Sequence, residues 1–359
     1  MYTKPKYPIA IVFRWTRRYI YIFILIALIP VLLYEVAGLK WLNLPWQPIG
    51  LIGTALAFIT GFKNNASYGR MWEGRKIYGG IVNASRLFAT MVNDFITNEF
   101  TQKNRTDQEL FQIRKILILR HVAWMSSLRH ALRQKKTWET AKNNKSDREH
   151  MKSIKVMEFE NSLEDELEGY LSDEEKKYVL QKTNKQTASL NLQSKHIGEL
   201  KAEGLIDSFR HMEFKNIIGE LFTLQGQAER IKNFPYPRQF ATLNTYFIWI
   251  FIVLIPFGLM QQFDLTGQSL AELEVQSVIF GFITEHFVWL TIPFSIIISW
   301  IFFLMERVGD TSENPFEGMG NDVPITTISR AIEIDIREMI DDDIALIPKP
   351  LPEYQNTQM

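Results

Sequence analysis

The side chains most able to carry chemistry in this 359-residue chain are widely separated and fall into no catalytic pattern. The six histidines, His121, His130, His150, His196, His211 and His286, show no His-Glu-x-x-His spacing. There is no Gly-x-Ser-x-Gly elbow, phosphate-binding loop or dinucleotide glycine pattern. With no Cys, disulfides, thiolate metal sites and a Cys nucleophile are excluded, and a reducing compartment is favoured. Asp341, Asp342 and Asp343 form a short acidic run of the kind that usually marks a solvated face or tail. His121 and His130 share one basic amphipathic segment and read as packing or surface residues. No catalytic residue, metal ligand or cofactor is therefore assigned, and the chain does not read as an enzyme. Equal counts of 40 basic and 40 acidic residues argue against a nucleic-acid partner.

A different kind of chemistry is open to Thr54, Phe58 and Phe62. At i, i+4 and i+8 they fall on one stripe of a helix, and Gly50, Gly53, Ala55, Ala57 and Gly61 beside them would let neighbouring helices approach closely. Such a stripe can face lipid or a protein core. In a ring of identical helices it would instead line a narrow apolar constriction that excludes water and so gates ions. Spacing alone leaves both readings open.

Four apolar runs must position that stripe: 19–38, 41–62, 241–260 and 287–305. About 20 residues of helix cross a hydrocarbon core. The third and fourth runs, "ATLNTYFIWIFIVLIPFGLM" and "FVWLTIPFSIIISWIFFLM", carry no charge, whereas a soluble helix normally keeps a polar face. Pro45 and Pro48 place the start of the second helix near Pro48. Arg14, Arg17 and Arg18 precede the first run, Lys63 and Arg70 follow the second, Lys232 and Arg238 precede the third, and Arg307 follows the fourth. The connection after the first run has Lys40 alone, and 261–286 has no Lys or Arg but holds Asp264, Glu272, Glu274 and Glu285. The basic flanks put both termini and the long middle in the cytoplasm. Trp41 and Trp46 suit the outer interface, and the start does not resemble a cleavable signal. The expected protein is a multi-pass resident of the plasma membrane, or the bacterial inner membrane.

Between the second and third runs the apolar residues recur every three or four positions, as amphipathic helices require. "SDEE" at 172–175 has capping-box form. A long helix is expected from about 200 to 231, with Pro235 and Pro237 marking re-entry into the membrane. Residues 137–155 read as an exposed hairpin tip or flexible connection. The chain is thus all-α and divides into 1–62 (first two spans, pore helix about 48–62), a cytoplasmic helical domain at 63–238, the last two spans at 239–306, and a cytoplasmic segment at 307–359.

Three separated stretches, each in place relative to the four runs, resemble the bestrophins, particularly the bacterial branch. They are "GFKNNASYGRMWEGRK" after the second run, "ERIKNFPYPRQF" before the third, and "ENPFEGMGNDVPI" with "RAIEIDIREM" after the fourth. The resemblance implies a homopentameric channel with a central pore made by five copies of the second helix. Its neck would be lined by Thr54, Phe58 and Phe62; Thr54 departs from the apolar side chains usual there. A second aperture would fall at Phe209, with His211 and Met212 as neighbours. Animal bestrophins hold calcium with a run of acids after Asn-Pro-Phe. Here Asn314, Pro315 and Phe316 match, but only Glu317, Asn321 and Asp322 stand in place of that run. The segment, with Asp322, is expected to be a structural clasp between subunits without calcium regulation. The implied activity is passive conduction of monovalent ions, chloride first, with a cation-conducting homologue as the alternative. A membrane-anchored scaffold without conductance is the alternative of another class. The expected partners are membrane lipid, monovalent ions and other copies of the chain.

Overall fold

The computed structural model describes residues 1–139, 145–272 and 278–359. Among them the chain is helical throughout, with only isolated bridges, such as Tyr2 with Thr357, in place of strands. Four long helices carry the apolar runs: α1 (Ile9–Glu35), α2 (Trp46–Phe95), and, after the intervening helices given below, α10 (Arg238–Ala271) and α12 (Thr291–Thr311). All four contain segments long and apolar enough to cross a membrane. The fold is that of a polytopic membrane protein with a large helical region outside the bilayer.

α2 begins at Trp46, two residues before the expected Pro48. Pro48 is tolerated inside its first turn because the first four N–H groups of a helix have no intrahelical partner. It then continues for 50 residues without a break, leaving the apolar run and becoming the spine of the polar region. At a rise of 1.5 Å per residue this is a rod about 75 Å long. α10 likewise outlasts its apolar run. Residues 261–271, expected as loop, are helical, because Gln261, Gln262, Thr266 and Gln268 end the hydropathy without ending the helix. Glu274, counted among the acids of that loop, lies outside the described residues. α11 (Val278–Glu285) and a 3-10 turn at Phe287–Leu290 lead into α12.

α10 packs against α1, α2 and α12, and α12 packs against α1 and α2. Phe23, Leu56, Ile248, Phe251, Ile252, Ile255 and Phe303 form the core between them. Outside the bundle, α3 (Asp107–Arg133), α9 (Ser208–Asn233) and α13 (Ile325–Glu338) pack against the far half of α2, α8 (Lys185–Ala202) packs on α3 and α9, α5 (Met157–Glu160) and α6 (Leu163–Glu168) on α3, α7 (Asp173–Gln181) on α8, and α4 (Lys145–Met151) on α1. Their core is centred on Phe88, Trp124, Phe214, Ile81 and Leu117. The capping box at Ser172 and Glu175 opens α7.

Three expectations change. The long helix from about 200 to 231 is two helices, because Gly204 adopts a φ of +73° and a Cβ there would lie 2.7 Å from the carbonyl oxygen of Phe100. Within 137–155, residues 140–144 lie outside the described set, but α4 is ordered and Ser146 and Asp147 are buried. Asp147 pairs with Arg307, and Glu139 with Lys232, so these acids are core ion pairs in place of an exposed tip. Asp342 is buried as well, held by Lys115 at 2.7 Å and by Arg337 Nε at 2.8 Å. The acidic run is therefore not a solvated tail at its centre.

Candidate functional site

α2 presents two unlike faces where it crosses the helix bundle. Ile49, Gly53, Leu56, Thr60 and Lys63 are buried, a 3–4 spaced seam against α10 and α12. Gly53 lets α10 approach closely, since a Cβ there would lie 2.7 Å from the ring of the buried Phe251. Thr54, Phe58 and Phe62 lie on the other side and are uncovered by their own chain, Phe58 at 66% and Phe62 at 73% exposure. The Thr54 hydroxyl donates to the Gly50 carbonyl at 3.0 Å, which turns it toward its own backbone. Gly61, beside Phe62, has nothing within 4 Å of where a Cβ would stand. The small residues thus divide: Gly53 admits α10 of the same chain, while Gly61 faces open space.

The seam ends in a buried charge network that no sequence motif marks. Lys63 Nζ reaches Glu306 at 2.6 Å and Asp310 at 2.5 Å, with Lys63 3% and Glu306 2% exposed. Asn244 also donates to Glu306, and the Thr245 hydroxyl donates to it at 2.8 Å. Arg307 pairs with Asp310 at 3.2 Å and with Asp147, which accepts from Trp15 Nε1 at 2.9 Å. One network therefore joins α1, α2, α4, α10 and α12 directly after Phe62. A signal for it exists in the sequence: Lys63 and Glu306 are the first charges after the second and fourth runs. Both runs end at the same side of the bundle, so two opposite charges arrive at one level. Arg70 continues the tie, donating to the carbonyls of Glu313 at 2.9 Å, Ile231 at 3.2 Å and Phe234 at 2.9 Å.

At the other end of the polar region, Phe209 sits in the first turn of α9 and is 80% exposed, with Met212 also exposed and His211 half-buried. Asp207 caps this helix by accepting from the Arg210 N–H at 2.7 Å. The Arg210 side chain bonds Thr97 Oγ1 at 3.1 Å and Glu99 at 2.7 Å, which fixes the start of α9 to the end of α2. Desolvation, with Lys215 and Lys201 nearby, holds the His211 imidazole below its ordinary pKa.

The segment after α12 folds back on its own chain. Phe316 is buried against Gly74 and Tyr78 of α2, and a Cβ at Gly74 would stand 3.1 Å from its ring. Asn314 donates to Glu317 at 3.0 Å, and the Val323 N–H donates to the Pro315 carbonyl at 3.1 Å. Asp322 accepts from the Gly318 and Met319 N–H groups at 2.6 and 3.0 Å. Burial pushes its carboxyl up to about 6, against the pull of the Arg133 guanidinium 3.6 Å away. These contacts clasp α2 and α3 within one chain. Among the described residues no group of three or more His, Asp or Glu is placed to hold a metal ion.

Comparison with known proteins agrees with this architecture. A family model for the bacterial and fungal bestrophin proteins matches residues 10–283 and 277–338. A voltage-dependent anion channel-forming protein from Ralstonia nicotianae is 25% identical over 298 residues, 83% of this chain and 78% of that one. A protein of the same description from Salmonella typhi is 23% identical over 326 residues, covering 90% of this chain and 86% of its own. The crystal structure of a bacterial bestrophin homologue from Klebsiella pneumoniae superposes with a TM-score of 0.70 at 21% identity, over 93% of this chain and 99% of that chain. With four apolar helices feeding one helical region and a family match along almost its whole length, the chain belongs to the bestrophin family, in its bacterial and fungal branch.

Proposed function

We propose that this protein is a homopentameric channel that conducts monovalent ions passively, with chloride named first, through a central pore whose neck is formed by Thr54, Phe58 and Phe62. The observation that carries the reading is the uncovered aromatic face of α2. Two Phe side chains stand 66% and 73% exposed on a helix whose opposite face is fully packed within the chain. A lipid-facing stripe needs no small residues beside it. A stripe facing its own symmetry copies does, and Ala55, Ala57 and Gly61 supply them. An ion passing such a neck sheds hydration without replacement ligands, so the barrier is set by wetting. Anion conduction is named first because similar proteins are described as voltage-dependent anion channel-forming.

In this arrangement residues 63–238 and 307–359 are cytoplasmic, the basic ends of the spans face the cytoplasm, and Phe209, with His211 and Met212 beside it, forms a second narrowing at the cytoplasmic exit. Asn314, Pro315, Phe316 and Asp322 make a structural clasp, with Arg133 as the cation beside Asp322 in place of calcium. Flux from liposomes under opposing Na⁺ and Cl⁻ gradients tests the function. A chloride-selective reversal is expected; a sodium-selective one assigns the cation-conducting alternative, and no flux assigns the scaffold.

A further inference from the structure

A second feature lies away from the α2 stripe, where the polar ends of α1 and α12 leave the bilayer. A cavity of about 520 Å³ opens between them, with α4 as its third wall. Ile11 and Val12 of α1 and Leu304 and Val308 of α12 give it apolar sides, and Arg14, Trp15 and Arg17 stand at one edge. This volume falls within the range of small-molecule sites.

The charges around it are unevenly committed. Asp147 is already occupied by Arg307 and by the Trp15 indole. Glu149 is shared by Arg17, at 3.1 Å, and Arg18. Of the two guanidiniums that line the cavity, Arg17 thus shares its carboxylate with Arg18, and the Arg14 side chain has neither an ion pair nor a hydrogen bond among the described residues. The apolar run of α1 begins at residue 19 and that of α12 ends at 305. The cavity therefore sits at headgroup depth, and exposed Ile9, Phe13 and Tyr7 mark the same level.

We propose that this cavity is a binding site for an anionic phospholipid, its phosphate on Arg14 and Arg17 and its upper acyl chain against Ile11, Leu304 and Val308. A soluble phosphate would gain the guanidiniums but not the apolar walls, and a zwitterionic lipid would bring a cationic group into a basic rim. Met319 and Asn321 also line the cavity, so its occupant touches the segment that Asp322 closes. The site does not depend on whether the protein conducts ions.

The test is native mass spectrometry and thermal unfolding of the full-length detergent-solubilised protein, titrated with phosphatidylglycerol or phosphatidylcholine. Phosphatidylglycerol is expected to be retained and to raise Tm, and phosphatidylcholine is not. Arg14→Gln should weaken phosphatidylglycerol about ten-fold, the worth of one charge-assisted hydrogen bond. Val308→Phe, which fills the cavity from a partly exposed position without touching charge, should weaken it too. Inorganic phosphate should leave Tm unchanged. Equal retention of the two lipids, unchanged phosphatidylglycerol affinity in both variants, or a phosphate effect matching the lipid would each overturn the proposal.

Discussion

His121 shows how a residue with catalytic potential is spent on packing. It is fully buried, stacked on Phe88 with ring centroids 5.0 Å apart, and its Nε2 shares a 2.9 Å hydrogen bond with Ser85. Burial pushes its pKa down to about 3. The folded state thus binds fewer protons than the unfolded state between pH 6.5 and about 3. Stability contributed by the neutral ring above pH 6.5 is lost as pH falls through that window. Asp322 works with the opposite sign: raised to about 6, it takes up a proton in the fold first, and stability gains as pH falls from about 6 toward 3.8. Melting followed by tryptophan fluorescence from pH 7 to 4.5 should therefore show a flatter acid loss in His121→Gln and a steeper one in Asp322→Asn. Parallel profiles for parent and both variants would show that neither group titrates as its burial requires. The sequence, with no ligand partner in that amphipathic segment, allowed His121 to be a packing or a surface residue, and its burial against Phe88 decides for packing. The inward turn of Asp342 was not, because three successive acids carry no mark of which one meets Lys115 and Arg337.

Among the helices, what could be read followed hydropathy, and what could not followed contacts between distant segments. The four spans were plain from run length, whereas α2 runs unbroken through Gly69, Gly74, Gly79 and Gly80, of which Gly74 admits Phe316 and Gly80 admits Leu224. The break before α9 depends on Gly204 meeting the Phe100 carbonyl, a contact across 104 residues that local pattern does not encode. The Lys63 network is intermediate, since each charge is visible at the end of its run but the pairing needs the packing of α2 against α12. That pairing also fixes which way α2 faces just after Phe62. Lys63→Met leaves the Glu306 carboxylate buried without its cation, a loss of roughly 3–5 kcal/mol for a broken buried pair. Lys63→Met with Glu306→Met should recover most of it, as apolar replacement of the whole pair removes the desolvated charge. Thermal unfolding in detergent reads both variants. A double variant as unstable as the single one would mean that Lys63 acts through something other than this pair.

For the molecule as a whole, family and architecture rest on the length of the match and on the fold, while the pore rests on one face of one helix. Thr54, Phe58 and Phe62 were singled out by spacing, and the structure adds that their own chain leaves them uncovered. What covers them is the central question, and truncating Phe58 separates the answers by sign. If the rings of symmetry-related Phe58 side chains close the neck, Phe58→Ala widens and wets it, and ion flux per reconstituted oligomer should rise several-fold with the assembly intact. If Phe58 instead packs against protein, truncation leaves a cavity worth roughly 3–5 kcal/mol, and the oligomer should weaken without gain of flux. Flux from liposomes containing a counted number of assembled oligomers is the deciding measurement: a rise in Phe58→Ala supports the neck, and flux at or below that of the parent, with a less stable assembly, contradicts it.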